Sequence, residues 1–203
     1  MPATLKAAAG KVVRLLPLRR PPGGPRGALG RNWLPLAAAA LLMLSAAPLA
    51  FFDQPLSDYA RRFQTEVDRA LEVPGLLGLG HAAVILGLAV GAAGRRRTGV
   101  RMIFSLILVF AVVWTIKLIV DRDRPGGREH AFPSGDVATA VVVLMPLMRR
   151  FRWIIPGAVA AVALVAVRRI TGGAHWPSDT AFGAGVGVLI SVFTREATPT
   201  FWR

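Results

Sequence analysis

Three stretches hold the residues of this chain whose types and spacing can do chemistry. "KLIVDRDRPGGREH" (117–130) places Lys117, Asp121 and Arg124 four and then three residues apart, so a helix would stack them on one face. "FPSGDVATA" (132–140) puts Ser134, Gly135 and Asp136 where a polar turn runs into an apolar segment. "RRITGGAHWPSD" (168–179) carries Arg168 and Arg169, then His175 and Asp179 four apart. Cations, proline-led helix starts with unspent N–H groups, and a helix dipole could converge on an anion, and a phosphate headgroup is the natural one. Each stretch alone also has a plain structural explanation. Arginines at a helix end snorkel to headgroups, a histidine before tryptophan suits an interface, and Pro-Ser-Gly starts helices. The chain has no cysteine, so a thiolate nucleophile, a disulfide framework and a cysteine-bound metal are excluded. No acidic cluster has the pattern of a two-metal site.

Elements must hold these residues together, and the composition says which kind. Of 203 residues, 54% are hydrophobic, in blocks, and the mean hydropathy is positive. That implies an all-α polytopic membrane protein. The apolar blocks are Trp33–Phe52, Pro74–Gly94, Val100–Val120, Val137–Met148, Trp153–Val167 and Ala181–Phe193. They give an expected six-transmembrane-helix bundle, the last three spans reaching full length only by including polar flanks. Trp33–Phe52 could be a signal-peptide core, but the arm before it is long and the block itself is long, which favours a retained helix. Residues 1–32 read as a flexible basic arm, 33–193 as the membrane domain and 194–203 as a short tail. Within 53–73, Leu56, Tyr59, Phe63, Val67 and Leu71 recur at three and four residues. That pattern fits an amphipathic interfacial helix or an ordinary helix in an extramembrane loop.

The net charge of +14 does not indicate nucleic acid, because the charges lie between apolar blocks and not on a soluble face. The arm, residues 95–101, residues 149–152 and the tail hold 16 of the 25 basic residues and one acid, Glu196. By the positive-inside rule these segments and both termini are cytoplasmic, and the three polar stretches lie outside.

The order K-x6-RP (Lys117, Arg124, Pro125), PSG (Pro133, Ser134, Gly135) and R-x5-H-x3-D (Arg169, His175, Asp179) resembles the type 2 phosphatidic acid phosphatase family over roughly residues 70–193. The resemblance implies hydrolysis of a lipid-linked phosphate or pyrophosphate through a phosphohistidine, with no metal or other cofactor. His175 would be the nucleophile and Asp179 its orienting partner. Lys117, Arg124, Ser134, Arg169 and the Gly135 N–H would hold the phosphoryl oxygens. The implied partners are a phosphorylated lipid and the surrounding membrane lipids, with no nucleic acid; the oligomeric state stays open. Arginine- and alanine-rich usage suggests a bacterial inner membrane, and the charge asymmetry puts the site on its periplasmic face.

The chain departs from that family's pattern at two places. Asp136 stands where the family has a histidine that protonates the leaving group, and Arg168 stands where it has serine. Asp136 could itself be the acid. The leaving group could instead be stable enough to need none, as in a lipid pyrophosphate or a sugar 1-phosphate such as lipid A. His130 could reach in as the acid, or the chain could be a non-catalytic binder of lipid-phosphate headgroups. Undecaprenyl pyrophosphate, phosphatidylglycerol phosphate, phosphatidic acid and lipid A 1-phosphate are all candidate ligands. Arg128, Glu129, Arg168, Trp176 and residues 53–73 are expected at the entrance.

Overall fold

A computed structural model describes residues 25–71, 76–78 and 80–197. Most of the basic arm and the end of the tail lie outside the described residues. The chain divides into two units, 1–31 and 32–203, and the account below concerns the second. Among the described residues there are eight α-helices and no strand. They are α1 (Pro25–Ala50), α2 (Asp53–Arg61), α3 (Gln64–Ala70), α4 (Gly80–Ala92), α5 (Arg96–Val120), α6 (Gly135–Arg150), α7 (Ile155–Thr171) and α8 (Pro177–Ala197).

The expectation of an all-α chain stands, but the expected six spans do not. By length and apolar composition three helical stretches can cross a membrane: Asn32–Ala50, Arg96–Val120 and Arg152–Thr171. A span needs roughly 20 apolar residues. Helix α4 has 13 and α6 has 16. Helix α8 has 21, but it opens on Pro-Ser-Asp-Thr and closes on Thr-Arg-Glu-Ala, so its apolar middle is brief. The physical reason lies in the packing. Helix α6 buries Val137, Ala138, Ala140, Val141, Val142 and Val143, and α8 buries residues along nearly its whole length. Small and polar residues on such helices suit contact with other helices rather than with lipid. Hydropathy blocks alone do not separate the two uses.

The core forms where α5, α6 and α8 meet, with Met102, Val109 and Val113 against Ala138, Val142, Val186 and Ile190. Glycine permits this closeness on α8. A Cβ at Gly183 would lie 2.4 Å from the backbone oxygen of Ser134, and one at Gly185 would lie 2.4 Å from Met43 Cγ on α1. Helix α8 therefore rests directly on the Pro-Ser-Gly turn.

Antiparallel packing gathers the polar stretches. Helix α5 ends, α6 begins, α7 ends and α8 begins at one end of the bundle, joined there by Lys117, Ser134, Arg169 and the first turn of α8. At the other end Asn32 Nδ2 donates to Glu196 (2.8 Å), Ser105 bonds Thr194 (2.8 Å) and Arg149 donates to the Ser191 carbonyl (3.0 Å).

The 53–73 segment is two helices, broken at Arg62–Phe63, rather than one. Its polar residues Asp53 and Ser57 are buried, whereas Leu56, Tyr59 and Phe63 are exposed. These three thus face away from the protein, because the opposite face of α2 packs toward the polar end of the bundle, while Val67 and Leu71 are half-buried.

Candidate active site

Lys117 sits in the last turn of α5, which closes at Asp121 in a left-handed conformation (φ 42°). Its ammonium donates to the carbonyls of His130 (2.5 Å) and Ala131 (3.3 Å), tying the loop that follows back onto the helix. An ammonium has three donors, so this leaves one for a ligand. The charges acting on it include Arg124, Asp179 and Asp136.

Ser134 occupies the N-cap position of α6 with extended backbone angles but makes no capping bond with its side chain. Its Oγ is buried and has no partner among the described residues, and neither has Arg124 Nε. Its backbone N–H donates to the Asp179 carbonyl (3.0 Å), joining the starts of α6 and α8. Gly135 opens α6, where the first N–H groups of a helix lack intrahelical acceptors.

His175 is buried, at 3% exposure, just before α8. Its Nδ1 lies 2.7 Å from the Ala131 carbonyl and 3.8 Å from Asp179 Oδ2. A carbonyl can only accept, so Nδ1 carries the proton and Nε2 of the neutral ring keeps its lone pair. Nε2 lies 3.9 Å from Asp136 Oδ2, and that same oxygen takes Arg169 Nε at 2.9 Å. The Arg169 backbone carbonyl in turn accepts from the N–H groups of Ala174 (3.0 Å) and His175 (3.2 Å). The Arg169 side chain therefore reaches the imidazole through Asp136, and its carbonyl holds the His175 backbone.

Asp179 is fully buried, and its oxygens are taken by Arg122 Nη1 (2.9 Å) and the Trp176 N–H (2.8 Å). It stands beside the imidazole as a fixed negative charge and not as its direct hydrogen-bond acceptor.

The structure thus brings His175, Asp179, Asp136, Arg169, Lys117, Ser134 and Gly135 to one place, with Arg124 acting on Lys117. Arg168 points elsewhere, its Nε 4.0 Å from Asp68 on α3. His130 turns to other acids, its Nδ1 2.8 Å from Asp121 Oδ1 and its Nε2 4.0 Å from Glu129 Oε2. Asp121, Glu129 and His130 each bring one ligand atom within 4.8 Å of the others, the one group among the described residues that could hold a metal ion. Three residues were not picked out by spacing: Ala131, which contributes only a carbonyl, and Arg122 and Asp53. The available signal for Asp53 was its position as the first acid after the first apolar block.

The model of the PAP2 superfamily matches residues 98–203, about half of the chain. A curated relative, the lipid A 1-phosphatase of Porphyromonas gingivalis, is 27% identical over 173 residues, which cover 79% of this chain and 36% of the relative. The chain therefore spans about a third of that protein's length. The crystal structure of a transmembrane PAP2 type phosphatidylglycerolphosphate phosphatase from Bacillus subtilis superposes with a TM-score of 0.55 at 17% identity, covering 83% of this chain and 98% of that one. At that identity the likeness is one of fold. The apolar spans make the chain an integral membrane protein, and the family match shows that it belongs to the PAP2 superfamily.

Proposed function

We propose that this chain hydrolyses a phosphate ester or anhydride on a membrane lipid, with His175 as nucleophile, at the outer face of a bacterial inner membrane. The observation that carries this reading is the locked imidazole, with Nδ1–H spent on Ala131 and Nε2 facing the Arg169–Asp136 pair. Nε2 attacks phosphorus, the bond from phosphorus to the leaving oxygen breaks, and a phosphohistidine forms. Water then attacks that phosphorus, releasing inorganic phosphate and the free imidazole. Lys117, Arg124 and Arg169 supply positive charge to the phosphoryl oxygens, with Ser134 Oγ and the Gly135 N–H as neutral donors. This chemistry calls for no metal.

Asp136 stands where the related phosphatases described above by motif carry a general acid. Its carboxylate oxygen accepts from Arg169 Nε at 2.9 Å, where the family's imidazole would donate. We therefore assign the chain a substrate whose leaving group departs without one: a sugar 1-phosphate or a lipid pyrophosphate. The likeness to a lipid A 1-phosphatase supports the first of these. On substrate binding, the phosphoryl oxygens replace the Asp136 carboxylate on Arg169.

The basic end of the bundle, where the first part of α1 meets the last turn of α8 through Asn32 and Glu196, is the cytoplasmic end in this reading. The test is phosphate release in detergent from a glycolipid 1-phosphate, a polyprenyl pyrophosphate and phosphatidic acid, with and without chelator. Brief reaction with 32P-labelled substrate should leave acid-labile label on wild type and none on His175→Ala. Headgroup binding without release or label would leave a binding protein instead.

A further inference from the structure

Arg122 lies inside the spacer between Lys117 and Arg124, and Asp53 follows the first span, yet both meet at the candidate nucleophile's support. Arg122 Nη1 donates to Asp179 Oδ1 (2.9 Å) and to Ser178 Oγ (2.8 Å), while Nη2 donates to Asp53 Oδ2 (2.8 Å). Asp53 also accepts from the Ser178 N–H (2.9 Å) and from the Ser178 hydroxyl. Every oxygen of both carboxylates is thereby bonded, and both acids are almost wholly buried. The Arg122 backbone carbonyl accepts from the Ala131 N–H (2.6 Å), and the Ala131 carbonyl is the partner of His175 Nδ1.

One residue therefore bonds both of the groups beside Nδ1 of the imidazole. Its side chain fixes the Asp179 carboxylate, and its backbone fixes the peptide that holds Nδ1. Asp53 anchors the far side of the guanidinium and caps the first turn of α8, where a negative charge also complements the helix dipole. Two buried carboxylates sharing one cation carry a large desolvation cost, which apolar packing would avoid. An arrangement of this kind is better explained by placement than by stability.

We infer that Arg122 and Asp53 are positioning residues for His175, tying the start of α2 to the reacting imidazole through Asp179 and Ala131. This assignment rests on the phosphatase reading of the site.

The test uses full-length protein in detergent with Arg122→Gln, Arg122→Lys and Asp53→Asn. Three quantities are compared: kcat and KM for phosphate release, affinity for orthovanadate against affinity for inorganic phosphate, and melting temperature. Vanadate mimics the five-coordinate transition state and needs a well-aimed Nε2, whereas phosphate needs only the cations. Arg122→Gln should lose about 100-fold in kcat, the scale expected of a misplacement near 1 Å, with KM little changed. Vanadate affinity should fall with kcat while phosphate affinity holds. Arg122→Lys should recover part of the loss, because an ammonium restores the charge without the planar fork.

Unchanged kcat in Arg122→Gln overturns the assignment. Parallel loss of vanadate and phosphate binding, tracking a drop in melting temperature in all three variants, overturns it too, since that is what packing alone would give. Wild-type protein that binds neither anion and releases no phosphate would instead bring down the phosphatase reading, and this assignment with it.

Discussion

The Nδ1 of His175 lies 2.7 Å from the carbonyl oxygen of Ala131, more than an ångström nearer than the closest oxygen of Asp179. The backbone, and not the carboxylate, sets the tautomer. Asp179 influences the ring through its charge and through the loop it organises.

That division of labour predicts unequal losses. His175→Ala should reduce phosphate release to assay background, because Nε2 is the atom that forms the bond to phosphorus in the proposed mechanism. Asp179→Asn keeps an oxygen for Arg122 but sets an amide near the Trp176 N–H, and should lose on the order of 100-fold in kcat, as when one electrostatic contributor is removed. Steady-state release assays on both variants decide it. An Asp179→Asn protein as inactive as His175→Ala would place the carboxylate on Nδ1 in the working protein.

Ser134 sets function against stability. Its hydroxyl is buried with no partner among the described residues, a state that costs about 1–3 kcal/mol when no ligand is bound. Ser134→Ala should therefore melt at the same temperature as wild type or higher, and bind inorganic phosphate more weakly. Thermal melting with and without phosphate measures both. A lower melting temperature without ligand would mean that the hydroxyl has a structural partner.

The contact of α8 with the Pro-Ser-Gly turn gives a third expectation. At Gly183 an added methyl meets the Ser134 backbone, so Gly183→Ala should destabilise by about 1–3 kcal/mol, as overpacking does, and lower activity by displacing Ser134. At Gly157 on α7 nothing lies within 4 Å of the added atom. Gly157→Ala should leave activity intact and stabilise by about 0.5–1 kcal/mol, the helix preference of alanine over glycine. Melting temperatures and phosphate release of the pair form a matched comparison.

The grouping of the site residues in three short polar stretches was legible, though not through helix geometry. Helix α5 closes at Asp121, before Arg124, and His175 precedes α8, so the expected stacking of Lys117, Asp121 and Arg124 on one helical face does not hold. The bond from His175 to Ala131 was not legible, because a backbone carbonyl carries no residue signature. Nor was the pairing of Arg122 with Asp53, since 69 positions separate them and only the folded bundle closes that distance. The span count failed for a related reason. Val142 on α6 and Val188 on α8 have the hydropathy of lipid-facing residues, but both are buried against other helices. In 53–71 the periodicity marked Leu56, Tyr59 and Phe63, which share the exposed side, whereas Val67 and Leu71 beyond the break are half-buried. It could not reveal that the polar face, with Asp53 and Ser57, turns into the protein.

Asp136 gives the most discriminating expectation. Its carboxylate holds Arg169 and stands 3.9 Å from Nε2, on the approach that a phosphoryl group takes in the proposed mechanism. Each binding event then exchanges one anion for another on the same guanidinium, and like charge opposes the newcomer. Asp136→Asn removes the competing charge and keeps the side chain's size. It should bind inorganic phosphate about tenfold more tightly, a difference of roughly 1.4 kcal/mol. It should also keep most of its turnover on a sugar 1-phosphate or pyrophosphate, whose leaving groups need no proton. Titration with phosphate and release assays on both lipids supply the two measurements. Tighter binding with intact release on both would establish the carboxylate as a gate on the phosphate subsite. Release abolished on both would make Asp136 the proton donor after all, and would return simple phosphate esters such as phosphatidic acid to the range of substrates.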